Sequence, residues 1–447
     1  MNRGNRKTGL LAILLVFGCL SCGSGAEAPS RQTLTYTFDA PTRDLISLLA
    51  KQGKTKAYDD FDRYFKGLLV PPSLLPYEPF VLGLSTESKI PVVLLLDAPW
   101  AQRYGMAGWL YELERTQVFS KADVTPAVAE AFSVAPHQGR GRPAKELVAV
   151  PTYIKGNILF YRRDLLKRYQ LAPPRTWEEL KAVCRKVLAQ ERSVKYGLVF
   201  HTTNFANDFY PIFWGYGGHI LDEENRLVLQ QKDNVAAAVA ALGDLCAMRG
   251  TVVPAAKDLK QFEAPLSVRR AFYRGEALFM INWNTRLQDL KEMIVKGEGN
   301  GPGRLTDMSQ IGVAPIPCQT GQAHRYSNIG SFAWGVNRFA VTDPLVIDKA
   351  KKFISLVADE QFQVLAAEIL GQVPALKSAL KKVTNQEVLQ VYQETFASAD
   401  MVLWPRPSSR RVNNVLEKYL VEALYGQRSP EAALEAAVND LKESGGH

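Results

Sequence analysis

Short aliphatic runs alternate with amphipathic, helix-like stretches along most of this chain, and that alternation restricts its fold more than any other feature. The strand-like runs are LTYTF (34–38), IPVVLLLD (90–97), LVAVPTYI (147–154), NILFY (157–161), YGLVF (196–200), EALFMIN (276–282), IGVAPIP (311–317) and FAWGVN (332–337). Strands that take turns with helices pack as sheets covered by helices, which predicts an α/β fold. Helix boundaries are written into the same stretches. Thr176-x-x-Glu179 and Thr384-x-x-Glu387 read as capping boxes, each opening a helix with reciprocal hydrogen bonds. Ser429-Pro430-Glu431 places a cap, a proline that needs no N–H in the first turn, and an acid at the positive end. Gly250 and Gly371 follow helical runs and fit left-handed terminators. From 39 to 88 the apolar residues and prolines settle into neither period.

The first residues carry an address. MNRGNRKT (1–8) holds Arg3, Arg6 and Lys7 and no acid, and the uncharged run GLLAILLVFG (9–18) follows. A basic segment, a short apolar run and small residues at the cut make a secretory leader, here 1–18. The run is too short to span a bilayer, which needs roughly 20 residues. Val16-Phe17-Gly18-Cys19 resembles a lipobox, so the chain is expected to be exported and lipid-anchored at Cys19, with Cys22 as the alternative. An ordinary cleaved leader with two incidental cysteines is the plainer reading.

The whole sequence is 47% hydrophobic and 22% charged, which is globular stock, and the body beyond the leader has room for two or three domains. The net charge of +9 is thinly spread, and the short basic stretches HQGRGRPAK (137–145) and SSRR (408–411) sit in no nucleic-acid motif. Export argues further against a nucleic-acid partner. Cys184, Cys246 and Cys318 are widely spaced. They leave one disulfide open, with buried free thiols as the default.

Signatures of catalysis and cofactors are missing. Gly53-Lys54-Thr55 looks like the end of a phosphate loop, but Leu48 stands where its first glycine belongs. Glycines 297, 299, 301 and 303 read as a turn rather than a dinucleotide cradle, since Pro302 lies among them. The five histidines never recur at zinc-ligand spacing, so no metal and no cofactor are expected. Asp59, Asp60 and Asp62 read as a solvated helix start rather than a catalytic pair. The aromatics are more informative. Trp100 in DAPW, Trp214 in FWGYGG, Trp283 in INWN and Trp404 in LWPRP lie after strands or among Gly and Pro, where loops face clefts. A pyranose has one apolar face that lies well on an aromatic ring and a rim of hydroxyls that needs polar partners. Asp97, Asp208, Asn282 and Arg406 stand beside these tryptophans. Each tryptophan alone is more often core than platform; the set together points to a binding site for a small polar molecule, a mono- or oligosaccharide first.

Order and spacing of several segments resemble the carbohydrate-type (family 1) extracellular solute-binding proteins of ABC importers, the maltose- and trehalose-binding kind. LLLDAPWAQRYGMAGWLYEL (94–113) is similar to that family's strand, aspartate and GWL helix. VPTYIKGNILFYRRDLLKRYQLAPPRTWEELKAV (150–183) is the most specific match. FWGYGGHILDEE (213–224), AFYRGEALFMINW (271–283), IGVAPIP (311–317), WPRPSS (404–409) and a G-x-x-S-P-E-x-A-L tail (426–434) follow in family order. The resemblance covers about 90 to 447. It implies two α/β lobes, 31–151 plus 316–370 and 152–315 plus 371–447, in the periplasmic-binding-protein-like fold. These would hinge near Val150–Tyr153, Pro315–Pro317 and Leu370–Gln372, close over a ligand in the cleft between them, and dock on the transmembrane subunits of an ABC permease. The family's ligand contacts fall on Asp97, Tyr153, Trp283 and Arg406, with Gly330-Ser331-Phe332 where Gly-Gly-Trp is usual.

Departures from the pattern bear on the ligand. Lys155 stands where similar disaccharide binders have an aspartate, and Phe332 where they have tryptophan. Thr202-Thr203 replaces a Tyr-Glu pair, and Val92 an aspartate. Residues 153 and 155 share one face of an extended strand. Lys155 either points to solvent or pairs with Asp97 or Asp208, or it neutralises, with Arg406, an acidic group on the ligand. Two rival functions remain: a secreted glycan-cleaving enzyme using Asp97 with Asp208 as its carboxylate pair, and a binder of a non-sugar solute such as a polyol phosphate.

Overall fold

The computed structural model describes residues 34–38, 65–69, 92–111, 113, 120–135, 145–222, 226–264, 266–297, 299, 301–322, 324–341, 343–397, 400–403 and 410–443. In chain order its principal strands are β1 Leu34–Phe38, β2 Phe65–Leu69, β3 Val93–Asp97, β4 Val150–Pro151, β5 Tyr153–Ile154, β6 Asn157–Arg162 and β7 Tyr196–Val199. There follow β8 Ala277–Trp283, β9 Ile311–Ala314, β10 Tyr326–Ile329, β11 Phe332–Val336, β12 Val373–Pro374 and β13 Asp400–Leu403. A five-stranded sheet has the order β2-β1-β3-β11-β4, with β1 parallel to β2 and β3, and β11 antiparallel to both β3 and β4. A four-stranded sheet has the order β9-β6-β8-β7, with β8 antiparallel to β6 and parallel to β7. Every strand-like run of the sequence contains a strand, as the α/β reading expects.

The run 147–154 is divided, and proline is the reason. Pro151 has no N–H to continue a ladder. Val150 and Pro151 pair with β11, after which Tyr153 and Ile154 change partner and pair with β12. This is where the chain leaves the first sheet for the second.

Helices cover both sheets, and residue alternation sorts their contacts. Along β6, Ile158 and Phe160 join a buried cluster that contains Val93 and Trp334. Leu159 and Tyr161 point the other way, into a cluster with Trp177, Phe213 and Leu420. A strand buried on both faces reads as an unbroken apolar run, as NILFY does. The helix Trp177–Leu188 opens on Thr176, whose hydroxyl accepts the Glu179 N–H at 3.2 Å, while the Glu179 carboxylate takes the N–H of Arg175 at 2.6 Å. Pro430–Glu443 opens on Ser429 as expected, and Gly371 ends Glu360–Leu370 at a φ of 65°. Gly250 likewise has a φ of 74°. The expected box at Thr384 is displaced by one residue. Asn385 caps Gln386–Val391, because Thr384 is engaged by the Glu368 carboxylate instead.

Beyond Pro317 the Cys318 N–H donates to the Arg175 carbonyl at 3.2 Å, and β10 pairs with β13 in a separate two-stranded sheet. Only at Phe332 does the chain enter the first sheet, opposite Asp97. Further on, Ser378 donates its N–H to Asp123 at 3.0 Å, while Glu387 reaches Lys291 at 3.3 Å. Cys184, Cys246 and Cys318 are buried free thiols. Among the described residues no helix is long and apolar enough to cross a membrane. The leader with Cys19 and Cys22 lies outside the described residues.

Candidate functional site

Strand register brings the ends of both sheets to one place. Asp97 closes β3 and pairs with Phe332, the first residue of β11. Trp283 closes β8 and pairs with Asn157, the first residue of β6. The link between β5 and β6 runs through this point. The Lys155 carbonyl accepts the Gly330 N–H at 2.8 Å, and the Lys155 N–H donates to the Ser331 hydroxyl at 3.0 Å. Lys155 then turns its ammonium onto two rings, 4.6 Å from the centre of Trp283 and 4.9 Å from that of Phe332. Tyr153 lies 6.2 Å from Phe332, centre to centre. Rings offer their negative faces to a cation, and this attraction grows as water is excluded.

Gly330 makes the arrangement possible. A Cβ at that position would stand 2.6 and 2.7 Å from two atoms of the Trp283 ring. The indole therefore lies against bare backbone. Asp97 has two roles. Its carboxylate caps the helix Ala98–Met106 by accepting the Trp100 N–H at 3.2 Å. Burial raises its carboxyl to about 6, against the opposing pull of the Trp100 N–H and the Lys155 charge.

Beside Trp283 opens a cavity of about 170 Å³. It is lined by Thr203, Asn204, Asn207 and Asp208 around the start of the helix Phe205–Gly215, and by His201, Glu263, Arg269, Asn282 and Arg286. Asp208 is 3% exposed and firmly held: one oxygen accepts from Asn157 Nδ2 at 2.5 Å, the other from the His201 N–H at 3.2 Å. Burial raises its carboxyl to about 8, so it is protonated at neutral pH. His201 moves the other way, down to about 4, through burial and then through the charges of Arg269 and Arg286. A neutral imidazole with its proton on Nδ1 accepts from Asn282 Nδ2 at 3.2 Å, and Asn282 Oδ1 takes the N–H of Trp283 at 2.9 Å. Asn282 thus serves to orient its neighbours more than to meet a hydroxyl. The helix start is itself capped from a distance: Glu417 accepts the N–H groups of Phe205 and Ala206 at 2.9 and 2.7 Å.

The sequence candidates are therefore distributed unequally. Asp97, Tyr153, Lys155, Trp283, Gly330 and Phe332 meet at the sheet ends, and Asp208 lines the adjoining cavity. Trp100 packs edge-on against Tyr104 beneath the Arg103 guanidinium, 4.9 Å from its ring. Trp214 lies in the core of the second sheet, stacked on Tyr210 with ring centres 6.0 Å apart. Trp404 and Arg406 lie outside the described residues. Sequence reasoning passed over Arg269, Arg286, Glu263 and Asn207. Arg286 alone left a trace, standing one turn beyond Trp283 in INWNTR. Among the described residues no group of His, Cys, Asp and Glu is arranged to hold a metal ion.

Two helix-covered sheets of this kind define the class: the fold of two-lobed solute-binding proteins. The chain belongs to the family of bacterial extracellular solute-binding proteins, whose model matches residues 83–390. It is also 29% identical over 205 residues to a probable ABC transporter-binding protein of Deinococcus radiodurans. That match takes in 44% of each, so the chain spans under half the length of this curated relative. Solved structures share the fold. A maltose-bound protein of T. maritima has a TM-score of 0.72 at 24% identity, over 92% of this chain and 99% of that one. The acarbose-binding GacH receptor of Streptomyces glaucescens gives 0.71 at 19%, over 92% and 98%. A ribitol-bound solute-binding protein of Agrobacterium radiobacter gives 0.69 at 20%, over 93% and 100%. Family membership makes this an exported protein, and the family consists of binding proteins rather than enzymes.

Proposed function

We propose that this protein captures a sugar or related polyhydroxylated molecule between its lobes and delivers it to the transmembrane subunits of an ABC permease. The observation that supports this best is the meeting of Tyr153, Trp283 and Phe332 with an amide-lined cavity at the sheet ends. Aromatic faces receive the C–H surface of a sugar ring, and the surrounding amides receive its hydroxyls. The maltose, acarbose and ribitol in the related structures belong to the same chemical class. Ligand contacts fall on Asp97, Tyr153, Lys155, Asp208, Trp283, Gly330 and Phe332, and the sequence adds Arg406 and Trp404 as candidates.

The lobes meet at crossings near Val150–Tyr153, Ile329–Phe332 and Leu370–Val373, and closure about these crossings encloses the ligand. Acyl chains on Cys19, or on Cys22, hold the protein at a membrane surface. A thermal-shift screen against sugars, polyols and their acidic derivatives tests the reading. A true ligand at 100-fold its dissociation constant adds about 2.7 kcal/mol of stability. Stabilisation by amino acids or peptides, with none from any carbohydrate, refutes it.

A further inference from the structure

The cavity beside Trp283 is more basic than a neutral sugar requires. Arg269 and Arg286 both line it, and both donate from Nη1 to one oxygen of Asp289, Arg286 at 3.0 Å. The two guanidinium groups thus share a single carboxylate oxygen. The Arg269 side chain is 8% exposed and that of Arg286 35%, so Arg269 forms the floor and Arg286 the accessible face. The neighbouring groups respond to this field. Arg269 is lowered to about 10 by burial and then by Arg286 and Arg270, and His201 is kept neutral. Glu263 also lines the cavity as a second carboxylate and accepts the Tyr425 hydroxyl at 2.8 Å, while burial raises Asp208 to about 8. Across Trp283 lies a further cation, Lys155. Asn204, Asn207 and Asn282 line the same cavity.

We infer that the ligand of this protein carries an anionic group, a phosphate or a carboxylate, which Arg286 backed by Arg269 receives in the cavity while the polyhydroxyl body lies toward Trp283. The inference rests on the sugar-capture reading and narrows it to acidic sugars or polyols. A guanidinium presents paired N–H donors in a fork that matches carboxylate and phosphate oxygens. The start of the helix Phe205–Gly215 is already closed by Glu417, so side chains rather than that helix end supply the positive charge.

The test is a titration at neutral pH with matched probes: sorbitol against sorbitol phosphate, and glucose against glucuronate and glucose phosphate. Amino acids and dipeptides complete the panel. An acidic probe should bind about tenfold or more tightly than its neutral parent. Arg286→Gln should erase that advantage, weakening the acidic probe by about 10- to 100-fold and the neutral one little. Arg286→Lys, which keeps the charge and loses the fork, should fall between them, and its apo melting temperature shows that folding is intact. Raising salt from about 0.05 to 0.5 M should weaken only acidic probes. Neutral probes that bind as tightly as acidic ones, with Arg286→Gln indifferent, overturn the inference and leave sugar capture standing. Binding confined to amino acids or peptides removes the sugar reading itself.

Discussion

Gly330→Ala is the sharpest probe of how the aromatic rings are placed. The added methyl would meet Trp283 ring atoms at 2.6, 2.7 and 3.5 Å, where carbon atoms prefer about 3.5–4.0 Å. Relief requires the indole to withdraw by about 1 Å, and three features resist this. Trp283 is in register with Asn157, its N–H is held by Asn282, and the Lys155 ammonium lies on its ring. Overpacking of this kind costs about 1–3 kcal/mol. Gly330 is not among the positive-φ glycines, so alanine meets no backbone strain there. The penalty should therefore come from Trp283 alone. In a Trp283→Ala background the same Gly330→Ala change should stabilise by about 0.4–1 kcal/mol, because alanine restricts the unfolded chain. Melting temperatures of the wild type, both single variants and the double variant form the cycle, with ligand affinity measured in parallel. An equal loss from Gly330→Ala in both backgrounds would refute the reasoning, since the clash would then lie elsewhere.

Two further outcomes follow from the charged groups. Asp208 titrates near 8 in the folded protein against a usual 3.8, so its folded form holds the extra proton; stability is full below pH 4 and declines as pH rises through 8. Between pH 5 and 7, Asp208→Asn should therefore gain on the wild type by about 1 kcal/mol per pH unit, whatever its offset, and parallel stability curves would contradict it. Lys155 pulls the Asp97 carboxyl down, so Lys155→Met should move it above about 6 in a carbon-13 titration; an unmoved value would detach the two groups.

Much of this architecture was legible because it depends on local pattern. β6 and β8 stood out as apolar runs of strand length, and Trp283 was marked by the strand it ends. Lys155 was marked by its spacing from Tyr153. What escaped depends on contacts distant in sequence. No local signal tells that the ammonium of Lys155 settles between Trp283 and Phe332 rather than reaching solvent or Asp208. Arg269 reads as one more cation on a short helix, Ser267–Tyr273, until that helix packs beside β8. Trp214 misled for the same reason. Its neighbours Gly215, Gly217 and Gly218 suggest a loop, whereas the ring belongs to the helix Phe205–Gly215 and stacks on Tyr210. The pairing of β10 with β13, strands far apart in the chain, is likewise something only the folded chain shows.

The Glu417 cap has a temporal meaning. Its carboxylate closes a helix 211 and 212 residues earlier in the chain, at the wall of the cavity. Asn157 likewise waits for Asn328, and Lys155 for Ser331, at separations of 171 and 176 residues. Contacts so remote in sequence form late, because the entropy of closing a long loop must be overcome before they add stability. A chain still emerging from the ribosome or crossing a membrane has its strands and its tryptophans but not its site. A chain that ends before the helix Arg410–Leu424 therefore lacks the Glu417 cap on that cavity wall.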